Sequence, residues 1–193
     1  MKVFAEASAT QGRNTLPAHV AAVAAVHGLE ALDADGIRDA RALATQLIGE
    51  GIATDARLAA LQAHFGASVF GLRQDGALCG LLAAFPLNEA GLAAVEQGRF
   101  NAVALDLALV ARAGEQPAAY YGWGFAATNK DGARAVLKAS VDIHRLLYWA
   151  VPTFARAVTA DGVRALQSIG FIASDQDGLF QIPPNMISAG VRA

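Results

Sequence analysis

Residues 118–171 read AAYYGWGFAATNKDGARAVLKASVDIHRLLYWAVPTFARAVTADGVRALQSIGF. Ala118–Ala127 reads as an apolar strand, followed by the polar turn Asn129-Lys130-Asp131-Gly132. Asn129 or Asp131 then opens a helix with Ala135, Val136, Ala139, Ile143 and Leu147 along it. Leu146–Val151 has strand character and stops at Pro152. Thr159 or Asp161 caps another helix, with Val163, Leu166 and Ile169 inward, and Gly170 ends it before Phe171. A strand that feeds a polar, glycine-containing turn at a helix N-terminus presents backbone N–H groups suited to an anion.

Upstream, the chain reads as helical. Thr15 is a candidate cap with Pro17 in the first turn, and Val20, Val23, Val26 and Leu29 recur at helical spacing. Asp33-Ala34-Asp35-Gly36 interrupts the pattern. A second helix carries Ile37, Leu43, Leu47 and Ile48 and ends near Gly49–Gly51. A third starts at the capping residue Thr54, carries Leu58, Leu61 and Phe65, and ends at Gly66. The period then shortens. Ser68–Arg73 and Ala77–Phe85 flank Gln74-Asp75-Gly76, a hairpin signal, and the continuous apolarity of the second run predicts a central strand.

Glu89–Gly98 reads as a short helix. In Phe100–Val110, the residues Val103, Leu105, Leu107 and Leu109 alternate with Ala104, Asp106 and Ala108, which favours strand over the helix that the alanines allow. Phe171–Ala173 and Leu179–Ile182 form a final hairpin around Asp175-Gln176-Asp177-Gly178. Residues 1–184 are expected to form one domain, helical over 1–66 and sheet-bearing over 67–184, with a tail over 185–193.

Composition narrows the function classes. The chain has 193 residues, a hydrophobic fraction of 54%, a charged fraction of 17% and a net charge of −2. That is enough apolar content for a substantial core and gives no electrostatic reason to expect nucleic acid or an anionic membrane as partner. Cys79 is the only cysteine, so no intrachain disulfide forms, and its apolar surroundings favour a buried, inert thiol. The first residues do not read as a secretory leader, and the apolar stretch 16–32 carries Pro17, His19, His27 and Glu30, a poor membrane span. A cytoplasmic protein is expected. No P-loop, Gly-x-Gly-x-x-Gly, Gly-x-Ser-x-Gly or zinc-ligand spacing occurs, and no metal is expected.

The order of elements over Ser68–Ile182, with the closing Gly170-Phe171, resembles the GCN5-related N-acetyltransferases. The resemblance implies an α+β fold: a central mixed, mostly antiparallel sheet flanked by helices, here with an extra N-terminal helical segment. It also implies acetyl-CoA or another acyl-CoA as co-substrate and transfer of an acyl group to a small-molecule or peptide amine. In that family the pyrophosphate lies on a turn of the form Gln/Arg-x-x-Gly-x-Gly/Ala. Asn129-Lys130-Asp131-Gly132-Ala133-Arg134 matches it at Gly132, has Asn129 at its first position, and carries Arg134 where a small residue is usual. Arg134 either obstructs phosphate or swings out to pair with it, and the turn is either a cofactor cradle or a plain helix cap.

The resemblance therefore assigns cofactor binding to Gly124, Phe125, Ala127, Asn129, Lys130, Gly132, Ala133 and Arg134. The helix tyrosine that serves the family as proton donor is replaced by Leu166. Tyr120 and Tyr121, on the strand that would flank the thioester, and Asp106, which interrupts an apolar run, are the candidate catalytic groups. Trp123 shares the face of Tyr121. A non-catalytic domain of the same fold, binding an acyl ligand or a protein, is the alternative, with a homodimer through the alanine-rich helices as one form of it.

Overall fold

The structure, a computed structural model, describes residues 16–49 and 52–185. The proposed cap Thr15, the residues before it, and the tail beyond Asn185 lie outside the described residues. Those described form six α-helices and a sheet of seven strands. Helices α1 (Pro17–Val26), α2 (Ala34–Ile48) and α3 (Asp55–Phe65) are followed by the hairpin of β2 (Val69–Gln74) and β3 (Ala77–Leu87). Helix α4 (Glu89–Glu96) leads into an irregular segment, then β4 (Ala119–Ala127), α5 (Lys130–Ile143), β5 (Thr153–Arg156), α6 (Ala160–Ser168), β6 (Ile172–Ala173) and β7 (Leu179–Ile182). A three-residue strand β1 (Leu29–Ala31) lies between α1 and α2. The strand order is β1-β2-β3-β4-β5-β7-β6, and every neighbouring pair is antiparallel except β4–β5. The fold is α+β, as expected.

Local chemistry explains most boundaries. Side chains of Asp33, Thr54, Asn88, Asn129 and Thr159 cap helices by accepting from backbone N–H groups three residues on. Gly66 ends α3 in the left-handed region (φ 93°). The hairpin turn has positive φ at both Asp75 and Gly76, the twist that favours antiparallel neighbours. Nine consecutive residues of β3, Cys79–Leu87, are buried, which places this strand centrally.

Two buried layers sandwich the sheet. On one face, α1 and α5 cover Phe70, Leu82, Ala84 and Tyr120. On the other, α2 covers Val69 and Leu81, and Leu61 with the residues after α4 covers Phe85 and Tyr121. Burial of this kind, at about 25 cal/mol per Å² of apolar surface, is what holds short strands such as β5 in place.

Three expectations are corrected. Leu29 belongs to β1 rather than to the face of α1, and Val26 is exposed. Gly28, at φ 78°, turns the chain so that Leu29 pairs with Leu72 at the sheet edge. Phe100–Val110 is not a strand. The Asn101 side chain accepts from the N–H groups of Val103 and Ala104 at 3.0 Å each, and Asp106 accepts from Ala108 at 2.9 Å. These local bonds replace a ladder and leave a single 3₁₀ turn at Leu107–Leu109 and an isolated bridge from Val110 to Leu87. Finally, Leu146–Val151 is not the strand before α6. Helix α5 runs on into a π-helical turn over His144–Tyr148, and β5 begins only after Pro152. The apolar residues Leu146, Leu147 and Val151 serve the α5-side core instead.

Candidate functional site

Strands β4 and β5 are parallel neighbours only over Tyr120–Gly122 and Thr153–Ala155. Beyond Gly122, β4 continues to Ala127 without pairing to β5, while β5 ends at Arg156 and the chain turns into α6. One row of β4 backbone groups therefore faces an opening between the two strand ends. In open parallel sheets, ligands bind outside the carboxyl ends of diverging strands, and the single parallel pair here provides the same kind of opening.

A bulge in β4 shapes this opening. Ala83 pairs with Gly124 and Ala84 with Gly122, so Trp123 is the extra residue. The insertion resets the alternation. Tyr121, Trp123, Gly124 and Ala126 then face the α2 side, while Phe125 joins the core on the α5 side. Without the bulge, Phe125 would point to the same face as Tyr121.

A cavity of about 200 Å³ occupies the opening. Its floor is Tyr121–Phe125. One wall is the small-residue side of α2, with Ala40 and Ala44, and the other is Ala155–Thr159 with Gly162 and Leu166 of α6. The Tyr121 ring lies 5.7 Å from Phe85 and 4.8 Å from Phe100, and Trp123 meets Phe85 edge-on at 5.5 Å. These stacks fix the floor. Burial pushes the Tyr121 phenol above its ordinary range, and the positive charge of the Arg156 guanidinium pulls it part of the way back. The phenol is therefore protonated at neutral pH and able to give a proton.

The residues singled out from the sequence separate into groups. Tyr121, Gly124 and Phe125 line the cavity. Tyr120 does not. It points to the other face, where its ring stacks on Tyr148 with centroids 4.0 Å apart, and burial lifts its phenol far above the usual range. Asp106 is exposed, caps the 3₁₀ turn and lies outside the cavity lining. Neither of these two residues has access to a ligand on the floor.

Ala127, Asn129, Lys130, Gly132, Ala133 and Arg134 surround the start of α5, next along the chain from the floor. Asn129 caps the helix: its side chain accepts from Gly132 at 2.8 Å and its carbonyl from Ala133 at 3.0 Å. The N–H groups of Gly132 and Ala133 are thus already bonded. A Cβ at Gly132 would lie 3.3 Å from that of Ala127 and 3.4 Å from the Cys79 carbonyl, so glycine here lets α5 pack close to β3 and β4. Arg134 swings outward and pairs with Asp131 at 3.5 Å, leaving the turn unobstructed.

Several lining residues were not foreseen: Arg156, Thr159 and Gly162, and the α2 positions Ala40, Arg41 and Ala44. The first three lie at the end of a parallel strand and the start of the helix after it, a signal present in Thr153–Gly162 once β5 is placed after Pro152. The α2 positions had no signal, because small residues on one side of a helix are ordinary.

Neither a protein-family model nor a curated protein matches the sequence. Solved structures do. The loading GNATL domain of CurA from Lyngbya majuscula superposes with a TM-score of 0.55 at 11% identity, over 80% of this chain and 96% of that one. The ribosomal-protein-S18-alanine N-acetyltransferase from Escherichia coli gives 0.51 at 14% identity, over 82% and 94%. The GphF GNAT-like decarboxylase, solved with isobutyryl-CoA, gives 0.50 at 15%, over 70% and 68%. At these identities the likeness is one of fold. Among the described residues, no helix is long and apolar enough to cross a membrane.

Proposed function

We propose that this chain, a divergent representative of the GCN5-related N-acetyltransferase fold, transfers an acyl group, in the first instance acetyl, from acyl-CoA to an amine. The observation that carries the reading is Gly124. Its φ is not positive, and a Cβ added there would meet nothing within 4 Å. Nothing inside the fold requires glycine at this position in a strand, where glycine costs about 0.5–1 kcal/mol relative to alanine. A glycine in a strand with open space above it suits close approach of a ligand.

The residues fit such a ligand. The unpaired edge of β4 beyond Gly122 offers backbone donors and acceptors to the amide-bearing arm of CoA. The start of α5, with Lys130, offers charge to its phosphates. The co-substrate supplies an activated thioester. The amine nitrogen attacks the acyl carbon, the N–C bond forms as the C–S bond breaks, and backbone N–H groups of β4 hold the developing oxyanion. The Tyr121 phenol gives its proton to the departing sulfur, and the acylated nitrogen returns a proton to the phenolate, so the enzyme ends as it began. Tyr121 thus takes the part that Leu166, also beside the cavity, has no hydroxyl to play.

One observation favours the second reading, a domain that binds an acyl ligand without turning it over. No carboxylate or histidine lines the cavity among the described residues, so no general base faces the acceptor. Calorimetric titration with acetyl-CoA and with CoA tests the first step common to both readings. Micromolar binding followed by acylation of an amine supports the transferase. Binding without turnover supports the second reading, and no binding of either compound overturns both.

A further inference from the structure

The cavity is apolar on its α2 side. Ala40, Ala44 and Ile48 of α2, Leu58 of α3, Leu81 of β3 and Trp123 form that wall. The charged residues lining the cavity among those described are two arginines, Arg41 and Arg156. They differ in what holds them. The Arg41 Nε lies 3.3 Å from the Asp55 carboxylate and donates to the Ala53 carbonyl at 3.3 Å, so its charge is balanced. Arg156, exposed at the end of β5, donates from Nη1 to the Asp177 carbonyl at 2.5 Å, and its charge acts on the Tyr121 phenol. It pairs with no carboxylate among the described residues. A guanidinium has five N–H donors, so more remain for a ligand.

We infer that the acceptor is a free α-amino acid with an apolar side chain, its carboxylate held by Arg156 and its side chain against the α2 wall. Three features select it. An unbalanced arginine at an apolar cavity matches a ligand that has one carboxylate and one apolar body. A polyamine or a lysine side chain would meet that same positive charge with no carboxylate to receive it. The cavity of about 200 Å³ must also admit the end of the CoA arm at Gly124, which leaves room for a single residue rather than a peptide. In an α-amino acid the nitrogen is two bonds from the carboxyl carbon. A carboxylate on Arg156 therefore brings the amine towards Tyr121, which lines the same cavity. The role of the amine rests on the acyl-transfer reading; the carboxylate site does not.

The test is calorimetric titration of the full chain with L-leucine, with leucinamide and with isopentylamine, which keeps the apolar body and lacks the carboxylate. L-leucine is expected to bind at least about tenfold more tightly than either amine, the preference of one charge-assisted pair. Arg156→Gln should abolish the preference and Arg156→Lys should keep part of it. The lysine variant also guards against misfolding, because a cation near the Asp177 carbonyl is retained. Equal binding of leucine and isopentylamine, no leucine binding, or an undiminished preference in Arg156→Gln would overturn the inference. Acetyl-CoA is titrated separately into the same protein. Acetyl-CoA binding without leucine preference removes this inference alone, and leucine preference without acetyl-CoA binding supports the carboxylate site while removing the acyl-CoA reading and the acceptor role with it.

Discussion

Replacing Gly124 by valine separates a glycine kept for the fold from one kept for a ligand. The backbone there is outside the positive-φ region and a Cβ meets no atom within 4 Å, so a branched side chain starts from open space. It restricts the unfolded chain and suits a strand, and the free protein should gain about 0.5–1 kcal/mol. In a chain of this size that raises the melting temperature by roughly 1–4 °C. The liganded protein should behave in the opposite way. Acetyl-CoA at a hundred times its dissociation constant stabilises the wild type by about 2.7 kcal/mol. A branched side chain in the arm's path that weakens binding a hundredfold reduces this to about 0.4 kcal/mol at the same concentration. Melting curves of both proteins, with and without acetyl-CoA, should therefore cross: the variant melts higher alone and lower with ligand. A free variant destabilised by more than about 1 kcal/mol would mean that the fold itself needs the glycine. An unchanged ligand shift would mean that the arm does not pass over Gly124.

Two further outcomes are expected. Tyr121→Phe keeps the stacks on Phe85 and Phe100 and removes only the proton donor. Turnover should fall about a hundredfold with little change in KM for acyl-CoA. In the wild type, loss of the phenol proton should lower turnover only above the ordinary tyrosine range, because burial raises its pKa; an unchanged kcat in the variant would remove Tyr121 from the mechanism. His144 is held neutral, its pKa lowered to about 4 by burial and then by Arg145. The unfolded chain takes up that proton at higher pH, so stability is full above about pH 6.5 and falls towards pH 4 by about 2–3 kcal/mol. Denaturant unfolding across that range should follow this slope, and His144→Gln should flatten it.

Much of the local structure was legible because it depends on neighbours in sequence. The caps at Thr54, Asn129 and Thr159, the left-handed stop at Gly66 and the Asp75-Gly76 turn each act within three or four residues. Where the pattern misled, long-range packing decided. The strict alternation of Val103, Leu105, Leu107 and Leu109 suits a strand, yet asparagine and aspartate side chains satisfy its backbone locally. Leu146–Val151 is as apolar as a strand, but Tyr148 stacks on Tyr120 and keeps the segment helical.

The sequence by itself determined the α+β class, the capped helices, the β2–β3 hairpin and the presence of a glycine-bearing strand before a capped helix. Tertiary structure alone decided which of those residues meet. Tyr120 and Tyr121 are adjacent in the chain and equivalent in chemistry, and the pleat sends one into the core and the other into the cavity. The bulge at Trp123 then reverses the faces that follow, and the divergence of β4 from β5 brings Arg156 to Tyr121 across 35 residues of chain. Such meetings depend on register and strand divergence, which are properties of the paired sheet and not of any one segment.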